Sequence, residues 1–215
     1  WAATPQGAAV TRPPAWLRRR PVDWDRPTRG EALPAPGPVD VVVPVYGAFG
    51  LLERCLASLA RHTDLARHAL LLSLDGPGQE AADDLARRLL PAGGWRALRA
   101  ERRGGFVAAT NRGLRASSRD VVLLNSDTEV TAGWLERLQA AALSGPAVAS
   151  ATPFCNDATL CSLPRPFVAN RLPRGFDVDA LGRLVESASA REYPRLPTGV
   201  GVCLYLRRQA LEVVG

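Results

Sequence analysis

Three apolar runs too short to be helices set the limits on how this chain can fold. Val39-Asp-Val-Val-Val-Pro-Val45, Ala69-Leu-Leu-Leu-Ser-Leu74 and Val121-Val-Leu-Leu124 show almost no polar alternation. A strand with one wet face alternates, whereas one covered by helices on both faces does not. Such runs therefore read as strands of a parallel sheet inside an α/β domain. Between them the apolar residues fall at helical spacing: Leu52, Cys55, Leu56 and Leu59, then Leu85 and Leu89, and later Trp134, Leu135 and Leu138. Gly104-Gly105 opens a further helix that runs to Arg115. A weaker strand over 95–100 and a short one over 147–151 complete the alternation. Parallel strands joined by right-handed crossovers follow. Pro44 cannot donate to a ladder, so regular pairing is expected to end there. Beyond Thr152 the rhythm breaks into a loop-rich stretch over 153–174, a helix over 178–187 and a strand over 199–206.

The first 38 residues differ in kind. They hold eight of the eighteen Pro and show no sustained periodicity, which suits an extended, semi-rigid linker or the tail of a preceding region. Residues 39–215 are expected to form one α/β domain. The chain has no Met and ends inside an apolar segment, as a piece of a longer protein would. No run approaches the ~18 apolar residues of a membrane span. The net charge of +6 comes entirely from Arg, and half of the excess lies in residues 1–38. The remaining Arg are scattered rather than clustered with aromatics, which argues against a nucleic-acid surface. Cys55, Cys155, Cys161 and Cys203 form no CxxC pair and have no His at zinc-finger spacing, so reduced thiols in a cytosolic setting are expected.

Chemistry is expected where the strands end. The first strand closes on Pro44-Val45-Tyr46, the second on Asp75-Gly76 and the fourth on Asn125-Ser126-Asp127. In parallel α/β sheets ligands bind in the crevice at the carboxyl ends of strands, and all three tips share that edge. Together they offer an aromatic face, a hydrogen-bond acceptor and a carboxylate for a hard cation, the parts a nucleoside diphosphate needs. Each tip alone also suits a turn or a helix cap. Neither GxxxxGK[ST] nor a strand-borne GxGxxG is present, which sets aside P-loop and dinucleotide folds.

Four segments in order carry a resemblance: Val41-Val-Val-Pro-Val-Tyr46, Asp75-Gly76, Gly105-Phe-Val-Ala-Ala-Thr-Asn-Arg-Gly113 and Val122-Leu-Leu-Asn-Ser-Asp-Thr-Glu-Val130. At these spacings the chain resembles the family 2 inverting glycosyltransferases of GT-A fold. Pro153-Phe-Cys-Asn-Asp-Ala-Thr-Leu-Cys-Ser162 and Leu196-Pro-Thr-Gly-Val-Gly201 are similar to a bacterial, rhamnosyltransferase-like branch.

The resemblance implies a nucleotide-diphospho-sugar donor, a glycan or glycolipid acceptor, and a divalent cation, Mg²⁺ or Mn²⁺. It places Pro44, Val45 and Tyr46 along the nucleoside, with Asp75 accepting from the base and Asn111 facing the donor cleft. Phe106 is expected in the core. Gly105 stands where some members carry a diphosphate-binding Arg, leaving Arg102 and Arg103 as substitutes. Asp127 matches the last acid of the Asp-x-Asp metal motif, with Asn125 and Ser126 where other members have Asp. Thr198 and Gly199 border the acceptor side. The family's carboxylate base follows these turns at a distance that places it beyond Gly215, so the chain reads as a donor half-site. Hexosyl transfer with inversion, in bacterial polysaccharide, cell-wall or glycoconjugate synthesis, is the implied role, in the cytoplasm or at the inner face of the membrane. The alternative is a non-catalytic sugar-nucleotide-binding or interaction module on the same fold.

Overall fold

The computed structural model describes residues 35–196 and 198–214. All but the last four residues of the expected linker lie outside that range. Six strands and six helices follow in order: β1 (Val39–Val45), α1 (Phe49–His62), β2 (Ala69–Leu74), α2 (Glu80–Leu89), β3 (Trp95–Arg99) and α3 (Gly105–Arg115). Then come β4 (Asp120–Leu124), α4 (Trp134–Ala142), β5 (Ser150–Ala151), α5 (Val178–Ala188), β6 (Cys203–Leu206) and α6 (Arg208–Val214). The strands form one sheet of order β3-β2-β1-β4-β6-β5. β1 pairs in parallel with β2 and β4, and β2 with β3.

Both faces of the parallel part are covered, which explains the unalternating runs. Val39, Val41, Val43 and Val45 point to one face, where they pack with Leu52, Leu56 and Leu59 of α1 and with residues of α2 and α4. Val42, Leu71 and Val121 point to the other, under Leu114 near the end of α3. The helix lies so close there that a Cβ on Gly113 would stand 2.2 Å from Val42 Cγ1. Only glycine permits that approach.

β6 enters the sheet between β4 and β5 and runs antiparallel to both, so the sheet is mostly parallel, as expected. Three expectations are corrected. Expected strands over 147–151 and 199–206 shrink to two and four residues, because the backbone around them turns. Pro44 stays in register with Ser73 on β2, while pairing to β4 already ends at Val42. Its missing N–H is tolerated because the β4 side has no partner at that position. Phe106 is 56% exposed rather than buried, since α3 turns Ala109, Thr110 and Gly113 toward the sheet instead.

Candidate donor site

β1, β2 and β4 run in the same direction, so their three tips stand on one edge of the sheet. The first tip bends through two left-handed residues, Gly47 (φ 63°) and Ala48 (φ 50°), before α1 begins. Pro44 and Val45 are buried, with Val45 in the core, and Tyr46 stands half exposed. Val45 O accepts from Asp75 N at 2.9 Å, and Gly47 N donates to Gln79 Oε1 at 2.9 Å. The first two tips are thus joined by backbone and by a buried amide side chain that sequence patterns did not single out.

Asp75 is buried, and its carboxylate bridges two backbone amides. Oδ1 accepts from Gly104 N and Oδ2 from Gly105 N, both at 2.8 Å. The acceptor expected to read a base therefore holds the loop ahead of α3. Two carboxylate oxygens offer about four lone-pair sites, so further acceptor capacity remains beside those bonds. The clamped loop carries Arg103, whose guanidinium carbon lies 3.9 Å from the centre of the Tyr46 ring. That is a cation–π contact. Gly76 makes it geometrically feasible, because a Cβ there would stand 3.0 Å from Arg103 N and its φ of 89° suits glycine alone.

Asn111 is half-buried in an open groove along α3, with Gly104, Val107 and Arg115 nearby. Gly104 belongs both to this groove and to the Asp75 clamp. The neighbouring Arg112, which the motif reading passed over, reaches back to Ser73 Oγ (3.0 Å) and Leu74 O (3.2 Å) at the end of β2.

The third tip rests on α1. Asn125 O faces Cys55 Sγ at 3.8 Å, Thr128 N closes a turn onto Asn125 O at 3.1 Å, and Val130 N donates to Ser58 Oγ at 3.0 Å. Asn125 and Ser126 are half-buried and Asp127 is exposed. Burial, then the charges of Asp127 and Glu129, push the Cys55 thiol up to about 12, so it stays protonated and unreactive. Glu129 is paired with Arg54, which leaves Asp127 as the open carboxylate of this tip. Among the described residues no three His, Cys, Asp or Glu side chains gather to hold a metal. A single open carboxylate such as Asp127 could hold a cation such as Mg²⁺ only together with other ligands, for example phosphate oxygens.

Thr198 and Gly199 are exposed in the turn that leads into β6. Because β6 is antiparallel, its start meets the end of β4: Asn125 N donates to Val202 O at 3.0 Å. Thr152 Oγ1 adds a second tie, 3.3 Å from Val200 O and 3.0 Å from Cys203 O. The insertion of β6 thus brings the two expected acceptor-side residues to the edge that carries Asp127.

Residues 40–215 match the family described as Glycosyl transferase family 2. The chain belongs to that family. A Drosophila melanogaster protein described as putative polypeptide N-acetylgalactosaminyltransferase 13 is 37% identical over 124 residues, which span 52% of this chain and 22% of the relative. Mannosyltransferase PcManGT from Pyrobaculum calidifontis, solved with GDP-Man and Mn²⁺, aligns with TM-score 0.48 at 20% identity over 65% of this chain and 40% of its own. S. aureus TarS 1-349 aligns with TM-score 0.43 at 19% identity over 48% of this chain and 32% of its own. The chain thus spans well under half the length of each of these proteins. Its six-stranded, mostly parallel sheet with helices on both faces is the α/β architecture of the GT-A type expected from the sequence.

Proposed function

We propose that this chain is the donor-binding part of a glycosyltransferase that moves a hexosyl group, with inversion, from a nucleotide-diphospho-sugar to a hydroxyl of a glycan or glycolipid. The observation that carries the reading is the convergence of Tyr46, Asp75 and Asp127 on one sheet edge in a chain of this family. Tyr46 offers a stacking face for the nucleobase, Asp75 lies beside it as an acceptor, and Arg103 is the nearby cation for the diphosphate. Asn111 borders the cleft along α3, and Thr198 and Gly199 face the acceptor. A divalent cation, Mg²⁺ or Mn²⁺, would be held by Asp127 with the Asn125 and Ser126 oxygens beside it, and would neutralise charge on the leaving diphosphate. A carboxylate base removes the acceptor proton in such a displacement. Asp177 and Asp179 are engaged elsewhere: Asp177 caps α5 through Ala180 N at 2.6 Å, and Asp179 pairs with Arg61 at 3.5 Å. No carboxylate among the described residues is assigned as that base. A role in bacterial polysaccharide or cell-wall assembly, on a rhamnosyltransferase-like branch and at the cytoplasmic face of the membrane, completes the proposal.

The test is calorimetric titration of UDP, GDP and dTDP into the protein with and without Mn²⁺. One of the three is expected to bind more tightly with metal. Asp127→Ala should weaken that binding about tenfold, in keeping with the ~1.5–3 kcal/mol of a contact to a charged group. Equal affinity in the variant rules out the metal assignment. A second reading, a non-catalytic sugar-nucleotide-binding module, draws on the single open carboxylate at the third tip. A longer version of the protein that binds donor, yet never releases nucleoside diphosphate in the presence of acceptor, decides for it.

A further inference from the structure

We propose that the loop over residues 153–176 is a docking surface for an anionic lipid bilayer. The loop leaves the end of β5, which is antiparallel to β6 and so points to the same edge as the three tips. It exposes an unusual amount of apolar surface. Phe154 and Phe167 are 60% and 68% open, and Val168, Leu172 and Phe176 are also exposed.

This exposure does not come from a lack of internal structure. Asn170 is buried, with Nδ2 2.9 Å from the carbonyls of Arg165 and Val168 and 3.0 Å from Ser162 Oγ. Ser162 Oγ donates to Val168 O at 2.5 Å, and Asn156 Nδ2 donates to Asn170 O at 3.0 Å. Phe167 N donates to Thr159 O at 2.9 Å, while its φ of 62° is one that bulky residues rarely adopt. A buried polar network holds the loop in a shape that leaves its large apolar residues in water. Five large apolar residues held open on one ordered segment make it a candidate interaction surface.

The charge pattern selects the partner. Arg165, Arg171 and Arg174 are exposed among these apolar residues, against one exposed carboxylate of the loop, Asp157. Asp177 is occupied as the cap of α5. Aromatic and aliphatic side chains that enter the headgroup boundary, flanked by cations that meet phosphates, are the pattern of peripheral attachment to anionic membranes. Val168 and Leu172 have no π-face for a sugar ring, which favours lipid over glycan. No helix among the described residues is long and apolar enough to cross a membrane, so contact at the surface is the mode this loop provides. Through Thr152, Val200 and Val202 the loop is tied to the Asn125 turn, so docking would bring the donor edge toward the bilayer. That orienting role rests on the transferase reading, whereas attachment itself does not.

The experiment is co-sedimentation of the full chain with vesicles of phosphatidylcholine alone or with about one-third phosphatidylglycerol, alongside the nucleotide titration, so that either reading can fail separately. Binding is expected on the anionic vesicles only, reduced about a hundredfold by the triple change Arg165→Gln, Arg171→Gln, Arg174→Gln, and weakened also by Phe167→Ser. The matched triple Arg18→Gln, Arg19→Gln, Arg20→Gln should leave most of it. Phe167→Trp should add a fluorescence component that brominated lipids quench, and unchanged thermal melting separates loss of contact from loss of fold. The proposal is overturned if the residue 18–20 triple abolishes binding and the loop triple does not, or if the Phe167→Trp signal is unquenched. Retention on immobilised dextran that depends on Phe167, without vesicle binding, also overturns it in favour of a glycan surface.

Discussion

His68 is buried, and its Nδ1 accepts a hydrogen bond from Val39 N, the first amide of β1, at 3.1 Å. A protonated ring has no lone pair at Nδ1 and cannot accept. Burial, then the charge of Arg67, lowers its pKa from the ordinary 6.5. The unfolded chain therefore binds this proton at a higher pH than the folded one. The contribution is complete above about 6.5 and is lost as pH falls below that value, at a slope of at most ~1.4 kcal/mol per pH unit. Urea unfolding at pH 7.5 and 5.5 should show lower stability at the acid value. His68→Asn, whose Oδ1 can accept from Val39 N without titrating, should flatten the difference; an unchanged slope refutes the assignment. Roles of this kind are hard to read from sequence. An Asp-Gly pair at a strand end announces a turn, but the bonds from Asp75 to Gly104 and Gly105 depend on how the β3–α3 loop folds back. The placement of Arg103 over Tyr46 depends on the same fold-back.

Among the elements, α3 tests the packing argument most directly. Gly113→Ala adds a methyl that would meet Val42 inside the second core cluster. Helix propensity favours Ala over Gly by ~1 kcal/mol, while overpacking in a close-packed interior costs ~1–3 kcal/mol. With Val42 fully buried between strands, the clash should dominate. A net loss of about 1–2 kcal/mol is expected in chemical denaturation, and a stabilised variant would show that α3 can shift away from the sheet. The four parallel strands and the helices α1, α2 and α4 were legible because burial on both faces erases alternation and because helical faces repeat on their own period. Phe106 was misread for a related reason. On a helix whose buried face is made of Ala, Thr and Gly, the largest apolar residue is a poor guide to which side faces the core.

The whole molecule depends on a strand whose place no local pattern encodes. β6 joins the sheet between β4 and β5, and Tyr205 on it is fully buried, donating to Asp120 Oδ2 at 2.7 Å. Asp120 Oδ1 accepts from Arg208 N at 2.7 Å, so one carboxylate joins the start of β4 to the segment entering α6. Tyr205→Phe keeps the ring and removes the donor. The expected loss is roughly 1–3 kcal/mol for a buried charge-assisted bond. Hydrogen exchange should quicken at Asn125 N, bonded to Val202 O, more than at β2 amides on the far side of β1. Equal acceleration at both would mean that the sheet opens as one unit. The late arrival of β6 also matters during synthesis. Translation proceeds at ~5–20 residues per second, so the interval between the emergence of β4 and of β6 lasts several seconds. During that interval β4 is a bare edge rich in Val and Leu, open to pairing with another chain. A nascent chain of this design should lean on a holding chaperone until Cys203–Leu206 closes the edge.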